Sequence, residues 1–191
     1  MSNKSDPTPR IFPIPASERD DVANELLAIA SGKGRPTRTP NLWTTLLRHP
    51  GLFRRWIPFG GKLLAGQIPV RDRELMILRT AWRCGTEYEW GQHSQIARDA
   101  GITAEELVNI ARGPGASEWG PFDATLLRAV DELHDESCIA DETWEILADR
   151  YDDKQLIELP MLIGQYHLVA FTMNSLRLQR EPDADRFPDV G

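Results

Sequence analysis

The sequence predicts an all-α fold, on three observations. Apolar residues recur at helical spacing through most of the chain, as in Leu75, Met76, Leu78 and Trp82 after Asp72. Residues that start or stop helices punctuate those runs, with Ser17 and Thr103 at starts and Gly101 and Gly113 at ends. No segment alternates polar and apolar residues with period two, so no sheet is expected.

The elements follow in order. Residues 1–16 carry Pro7, Pro9, Pro13 and Pro15, which favour extended backbone, and form an arm expected to lie across a neighbour through Ile11, Phe12 and Ile14. A single helical domain is expected over 17–180. Ser17 caps its first helix, with Glu18 to Asp21 at the positive end, and Ser31-Gly32-Lys33-Gly34 ends it. Thr39-Pro40 opens a short helix that His49-Pro50-Gly51 breaks, and His49 is read as a helix-terminus charge. A helix over Leu52–Leu64 is expected to be interrupted at Pro58-Phe59-Gly60-Gly61. Helices over Asp72–Cys84 and Thr86–Ala100 flank Gly85. Thr103-Ala104-Glu105-Glu106 is a capping box. Helices over Phe122–Glu136, Asp141–Tyr151 and Asp153 to about Leu178 complete the domain. Residues 181–191, with Pro182 and Pro188 among charges, are expected to be a flexible tail.

Composition excludes several function classes. The chain has 191 residues, 41% hydrophobic and 27% charged, the balance of a soluble globular domain with a sizeable core. Its formal net charge is −7 with both signs interspersed, so no nucleic-acid partner is expected. Met1–Pro7 lacks an apolar stretch, which predicts no secretory signal, and a cytoplasmic location follows as the expectation. The apolar stretch Leu159–Met173 holds Gln165 and His167 and is shorter than a membrane span, so it is expected to be a buried helix. Cys84 and Cys138 form no CxxC pair and no metal-ligand spacing with any histidine, and both are expected as thiols.

The densest chemistry lies in Thr86-Glu87-Tyr88-Glu89-Trp90-Gly91-Gln92-His93. Glu89 and His93 are four residues apart, which places a carboxylate and an imidazole side by side on one helical face. A carboxylate in that position fixes the imidazole tautomer and raises its pKa, the way a general acid or base is tuned. Thr86 joins the same stripe with a hydroxyl, while Glu87 and Gln92 are expected to point to solvent. On spacing alone such a pair also suits an ordinary solvated helix.

The run Arg71-Asp72-Arg73-Glu74-Leu75-Met76-Ile77-Leu78-Arg79-Thr80-Ala81-Trp82-Arg83-Cys84, followed by Glu87-Tyr88-Glu89-Trp90 and His93, resembles the carboxymuconolactone decarboxylase family. A looser resemblance extends over about residues 40–178, through Glu132-Leu133-His134 and Gly164-Gln165-Tyr166-His167. It implies an alkylhydroperoxidase D-like helical bundle. Alkylhydroperoxidase-type members carry Cys-x-x-Cys, a histidine four residues after the second cysteine and a glutamate on the preceding helix. Those cysteine positions fall here on Thr86 and Glu89 and the upstream glutamate on Glu74. Disulfide-forming peroxide reduction needs an attacking and a resolving thiol, and that dithiol is absent.

Decarboxylase-type members use a glutamate four before the histidine, which Glu89 matches. The resemblance thus implies cofactor-independent decarboxylation of a small carboxylated or lactone substrate. His93 would be the acid/base, Glu89 its orienting partner and Glu74 a second polar group. Thr86, Cys84, Trp90, Tyr88 and His167 are the expected substrate pocket, and His134 is expected at the surface. No cofactor is expected; Glu74, Glu89, His93 and His167 could converge on a metal in principle, but no motif such as HExxH supports one. Glu-Tyr-Glu-Trp marks a branch distinct from the decarboxylases of aromatic catabolism, so the substrate stays open. A thiol peroxidase using Cys84 and a non-catalytic oligomeric binding protein are the alternatives. Either way the resemblance implies a homo-oligomer, whether dimer, trimer or hexamer.

Overall fold

The computed structural model describes residues 8–32 and 38–191. Lys33-Gly34 and the first seven residues of the arm, with Pro7 and the expected lack of a signal, lie outside the described residues. Among the described residues there are helices and no strands. The described residues form two compact units, one from those within 8–65 and 172–182, the other from 66–171 and 183–191.

The first unit holds a 3-10 turn at Ala16–Glu18 and three helices, α1 (Asp21–Ser31), α2 (Asn41–Leu46) and α3 (Pro50–Leu64). Asp20, not Ser17, caps α1, its side chain accepting from the Ala23 amide at 2.8 Å. Asp20 directly precedes the apolar run, and its extended backbone is the cap conformation. His49 begins α3 instead of ending α2: its Nδ1 accepts from the Leu52 amide at 3.3 Å, with Pro50 in the first turn. The imidazole thus acts as an acceptor cap at a helix start, where a charge at a helix end was expected. Helix α3 runs on through Pro58 without the expected break. Proline removes one backbone donor, and apolar packing carries the helix past that loss. Leu26, Leu27, Leu47 and Phe53 form the core, joined by Ile14, Trp43 and Trp56. Ile14 thus packs on its own unit, and its amide donates to Thr44 O at 2.9 Å.

The second unit is built around α4 (Val70–Arg83), against which α5 (Glu87–Asp99), α6 (Ala104–Arg112) and α7 (Pro121–Glu136) all pack. Every residue from Asp72 to Ala81 is buried, where the sequence pattern suggested one apolar stripe. The polar members are buried because each finds a partner. Arg79 donates to both oxygens of Asp131 at 2.8 Å and to the carbonyls of Ile110 and Ala111 at 2.9 Å. Asp72 accepts from the Tyr151 hydroxyl at 2.7 Å. Gly113, at φ 106°, leaves room for that guanidinium; a Cβ there would meet Arg79 Nη2 at 2.9 Å.

Helix α8 (Asp141–Ala148) packs on α7, and α9 spans Asp153–Leu176. At 24 residues, α9 is longer than the apolar stretch and is long and apolar enough to cross a membrane by length and composition. Half of its most apolar window is nonetheless buried within the protein, through residues such as Leu159, Leu162, Ile163 and Tyr166. It carries Gln165 and His167 at its centre, as a core helix can.

Residues 183–191, expected as part of a flexible tail, are docked on α5. Phe187 sits edge-on to Trp82 and Trp90, with ring centroids 5.0 and 5.5 Å away. Asp185 accepts from Ser94 Oγ at 2.8 Å and pairs with Arg98. Glu87 accepts from the Phe187 amide at 3.2 Å instead of facing open solvent. Gly91 permits this approach, since a Cβ there would meet Asp185 O at 2.8 Å.

Candidate active site

Three helices of the second unit deliver one cluster. Glu74 comes from the first turns of α4, Glu89 and His93 from α5, and Tyr166 from α9. The i, i+4 spacing predicted that Glu89 and His93 would share a face; the packing of α4 against α5 adds Glu74. His93 Nδ1 lies 2.6 Å from Glu74 Oε2, and its Nε2 lies 3.1 Å from Glu89 Oε1. The Tyr166 hydroxyl is 3.2 Å from the same Nε2. Arg73 holds the other oxygen of Glu74 through Nε at 2.9 Å and Nη2 at 2.8 Å. All five side chains are buried.

Charge explains the arrangement. Burial alone would depress the His93 pKa, but Glu74 and then Glu89 outweigh it and raise the imidazole to about 9. Burial alone would raise Glu74, but His93 and then Arg73 outweigh it and hold the carboxyl below its usual value. At neutral pH the site therefore holds an imidazolium, donating from Nδ1 to Glu74 and from Nε2 to Glu89. Burial, then Glu89 and Glu74, push Tyr166 well above its ordinary value, so its hydroxyl keeps its proton.

Two buried oxygens here are unclaimed. Glu89 Oε2 and Thr86 Oγ1 have no hydrogen-bond partner among the described residues. Thr86 occupies the N-cap of α5 without using its side chain as a cap. An unsatisfied buried polar atom costs about 1–3 kcal/mol, and these two lie one turn apart on α5.

The other expected pocket residues are distributed differently. Trp90 is buried edge-on to Trp82, at 6.0 Å between centroids, beneath Phe187. Tyr88 is buried. Cys84 and His167 meet a third side chain, His134, which is half-buried instead of fully at the surface. The cluster also contains two side chains absent from the expected site. Arg73 adjoins Glu74 in sequence, and no helical spacing rule joins neighbours, so no signal pointed to it. Tyr166 had one: it shares the buried phase of α9 with Leu159, Leu162 and Ile163, whereas His167 is turned away from that phase.

Taken together, the chain is an all-helical protein with a buried carboxylate–imidazole–carboxylate site. The sequence profile of the carboxymuconolactone decarboxylase family matches residues 50–132. No curated protein sequence matches the chain significantly. The fold is similar to the alkylhydroperoxidase AhpD core of a peroxidase-related protein from Ralstonia eutropha JMP134. That match has TM-score 0.77 and 17% identity, over 94% of this chain and 95% of that one. It is also similar to the debrominase Bmp8, solved with 2,3,4-tribromopyrrole, with TM-score 0.71 and 14% identity over 91% and 92% of the two chains. A protein of unknown function from Agrobacterium tumefaciens matches at TM-score 0.66 and 17% identity, over 71% of this chain and 94% of that one. Residues 50–132 are thus similar to the carboxymuconolactone decarboxylase family, and the structural likenesses show that the fold is AhpD-like.

Proposed function

We propose that the chain is a cofactor-independent acid/base enzyme that decarboxylates a small carboxylated or lactone substrate. The observation that carries this reading is the His93 imidazolium held between Glu74 and Glu89, with Glu89 Oε2 left unclaimed. Glu74, at the shorter distance and anchored by Arg73, is the orienting group; Glu89 lies on the reactive side with Nε2 and the Tyr166 hydroxyl. In the reaction the bond to the carboxylate carbon breaks, carbon dioxide leaves, and the electron pair passes into the conjugated carbonyl as a dienolate. His93 Nε2 then delivers its proton to carbon and is reprotonated from water. A substrate hydroxyl donating to Glu89 Oε2 fixes the reacting carbon near that proton.

Thiol peroxidation is less well supported. Thr86 and Glu89 stand where the dithiol would be, and burial, opposed by Arg83, pushes the Cys84 thiol up to about 11, leaving little thiolate at neutral pH. The test is a panel of small lactone acids and conjugated carboxylic acids, with tribromopyrrole and organic peroxides as comparators. The expected result is carbon dioxide release from at least one acid, unchanged in Cys84→Ser. Peroxide or bromide turnover that disappears in Cys84→Ser, with no acid consumed, would replace this reading with a thiol enzyme.

We infer in addition that the protein self-associates through α9. Ile157, Met161, Leu168 and Phe171 are 46–64% exposed and, with Gly164, follow alternating steps of four and three residues. That is the seam by which one helix pairs with an identical helix. Light scattering is expected to show an oligomer for the native chain and a monomer for the Ile157→Lys/Met161→Lys double variant. A native monomer at micromolar concentration would refute it.

A further inference from the structure

We propose that Cys84, His134 and His167 form a binding site for a single first-row divalent metal ion of zinc-like preference, with one coordination position open to an outside ligand. The three residues share no member with the Glu74–Glu89–His93 cluster. They are 50 and 33 positions apart in sequence, so no motif spacing announces them, and only the packing of the second unit gathers them. Cys84 sits at the C-terminal cap of α4, immediately before Gly85 at φ 62°; His134 lies in the last turn of α7 and His167 in α9.

The ligand set has the right composition and reach. One thiolate and two imidazoles suit zinc and its neighbours in the first transition row, and not magnesium or calcium, which take oxygen. The Cys84 sulfur and one nitrogen from each ring all lie within 4.8 Å of one another. Tetrahedral zinc with bonds of about 2.3 Å to sulfur and 2.0–2.1 Å to nitrogen separates its ligand atoms by roughly 3.3–3.6 Å. His134 Nδ1 and His167 Nε2, now 2.9 Å apart, need to open by a few tenths of an ångström. The sulfur needs to close by at most about 1.2 Å, within reach of a side-chain rotation.

A second observation points the same way. His167 Nδ1 donates to the Ile163 carbonyl at 2.8 Å, and a carbonyl can only accept, so that nitrogen carries the ring proton. The lone pair of Nε2 is thereby fixed toward His134 and Cys84. Metal-bound histidines are held in this way, with the far ring nitrogen donating to a carbonyl or carboxylate. Phe171 packs edge-on to the His167 ring at 5.9 Å and limits its rotation.

The charges around the cluster admit a dication. Arg83 lies beside it, but its guanidinium is matched by Asp131 at 3.0 Å and Asp135 at 2.6 Å. Binding balances simply. The Cys84 thiol loses one proton to solvent, the His134 proton moves from Nδ1 to Nε2, and the complex of a dication with one thiolate and two neutral imidazoles carries one positive charge. Three protein ligands leave the fourth position for water or an anionic group, as in open zinc sites.

The experiment uses the full chain after exhaustive chelation, titrated with zinc against a chromophoric chelator and, separately, with cobalt(II). One ion per chain is expected, and the cobalt form is expected to show thiolate-to-cobalt charge transfer with the intense visible bands of a four-coordinate centre. Cys84→Ser and His167→Gln, each checked for native circular dichroism, are expected to lose at least 100-fold in zinc affinity. Absence of stoichiometric binding, a cobalt spectrum without the thiolate band, or unchanged affinity in both folded variants would each overturn the proposal. Because the cobalt spectrum is read on the native chain, a variant that fails to fold does not remove the test.

Discussion

Glu74→Gln is expected to destabilise the protein by about 3–5 kcal/mol, the usual cost of removing one partner from a buried ion pair. The side chain is fully buried and joins two cations, with His93 Nδ1 on one oxygen and Arg73 on the other. The amide keeps the shape but removes the charge, so a guanidinium and an imidazolium are left facing a neutral group. For a chain of this length the loss lowers Tm by roughly 6–20 °C, readable by calorimetry. A fall of less than 1 kcal/mol would show that these charges do not organise the site.

The same charges set a pH dependence that calorimetry resolves. The folded-state pKa of His93, about 9, lies above its ordinary 6.5. Its stabilisation is therefore complete below pH 6.5 and is lost as pH rises through about 9. The displacement corresponds to about 3 kcal/mol. Glu74 has the opposite sign: its folded pKa lies below 4.5, so its stabilisation is complete above that value and is lost on acidification through the folded one. Stability from this pair is greatest between about pH 4.5 and 6.5, and in Glu74→Gln the alkaline decline becomes shallower.

His93→Asn is expected to lower kcat by 10²- to 10⁴-fold on the acid identified by the panel, the usual worth of a positioned proton donor. Asparagine removes the transferable proton and leaves Glu74 and Glu89 buried without the cation between them. With the cation between the two buried carboxylates removed, the variant is expected to show an altered pH profile. A loss confined to KM, with kcat intact, would reduce His93 to substrate binding. Tyr166→Phe is the companion measurement, with a smaller fall expected because the hydroxyl shares Nε2 with Glu89 at 3.2 Å.

Much of this was legible in the residues because it depends on local rules. Helical spacing and the Thr103 capping box depend on neighbours within a turn or two, and both elements stand as the sequence implied. Glu89 beside His93 is likewise a consequence of one helix. The errors arose where tertiary packing decided. Pro58 breaks a helix only if nothing holds the flanking turns, and apolar packing of α3 supplies that hold. The acidic, proline-bearing end reads as a tail in sequence because its anchors, Trp82, Trp90 and Gly91, lie about a hundred residues upstream. The meeting of Cys84 with His134 and His167 is invisible for the same reason: it joins three helices, and a single sequence states no distance between helices.

Nitrogen-15 NMR of the histidine rings measures directly whether His93 is a clamped imidazolium at neutral pH. Protons on both His93 nitrogens at pH 7.5, with titration near 9, are the expected result. A single protonated nitrogen at that pH, or titration near 6.5, would contradict it.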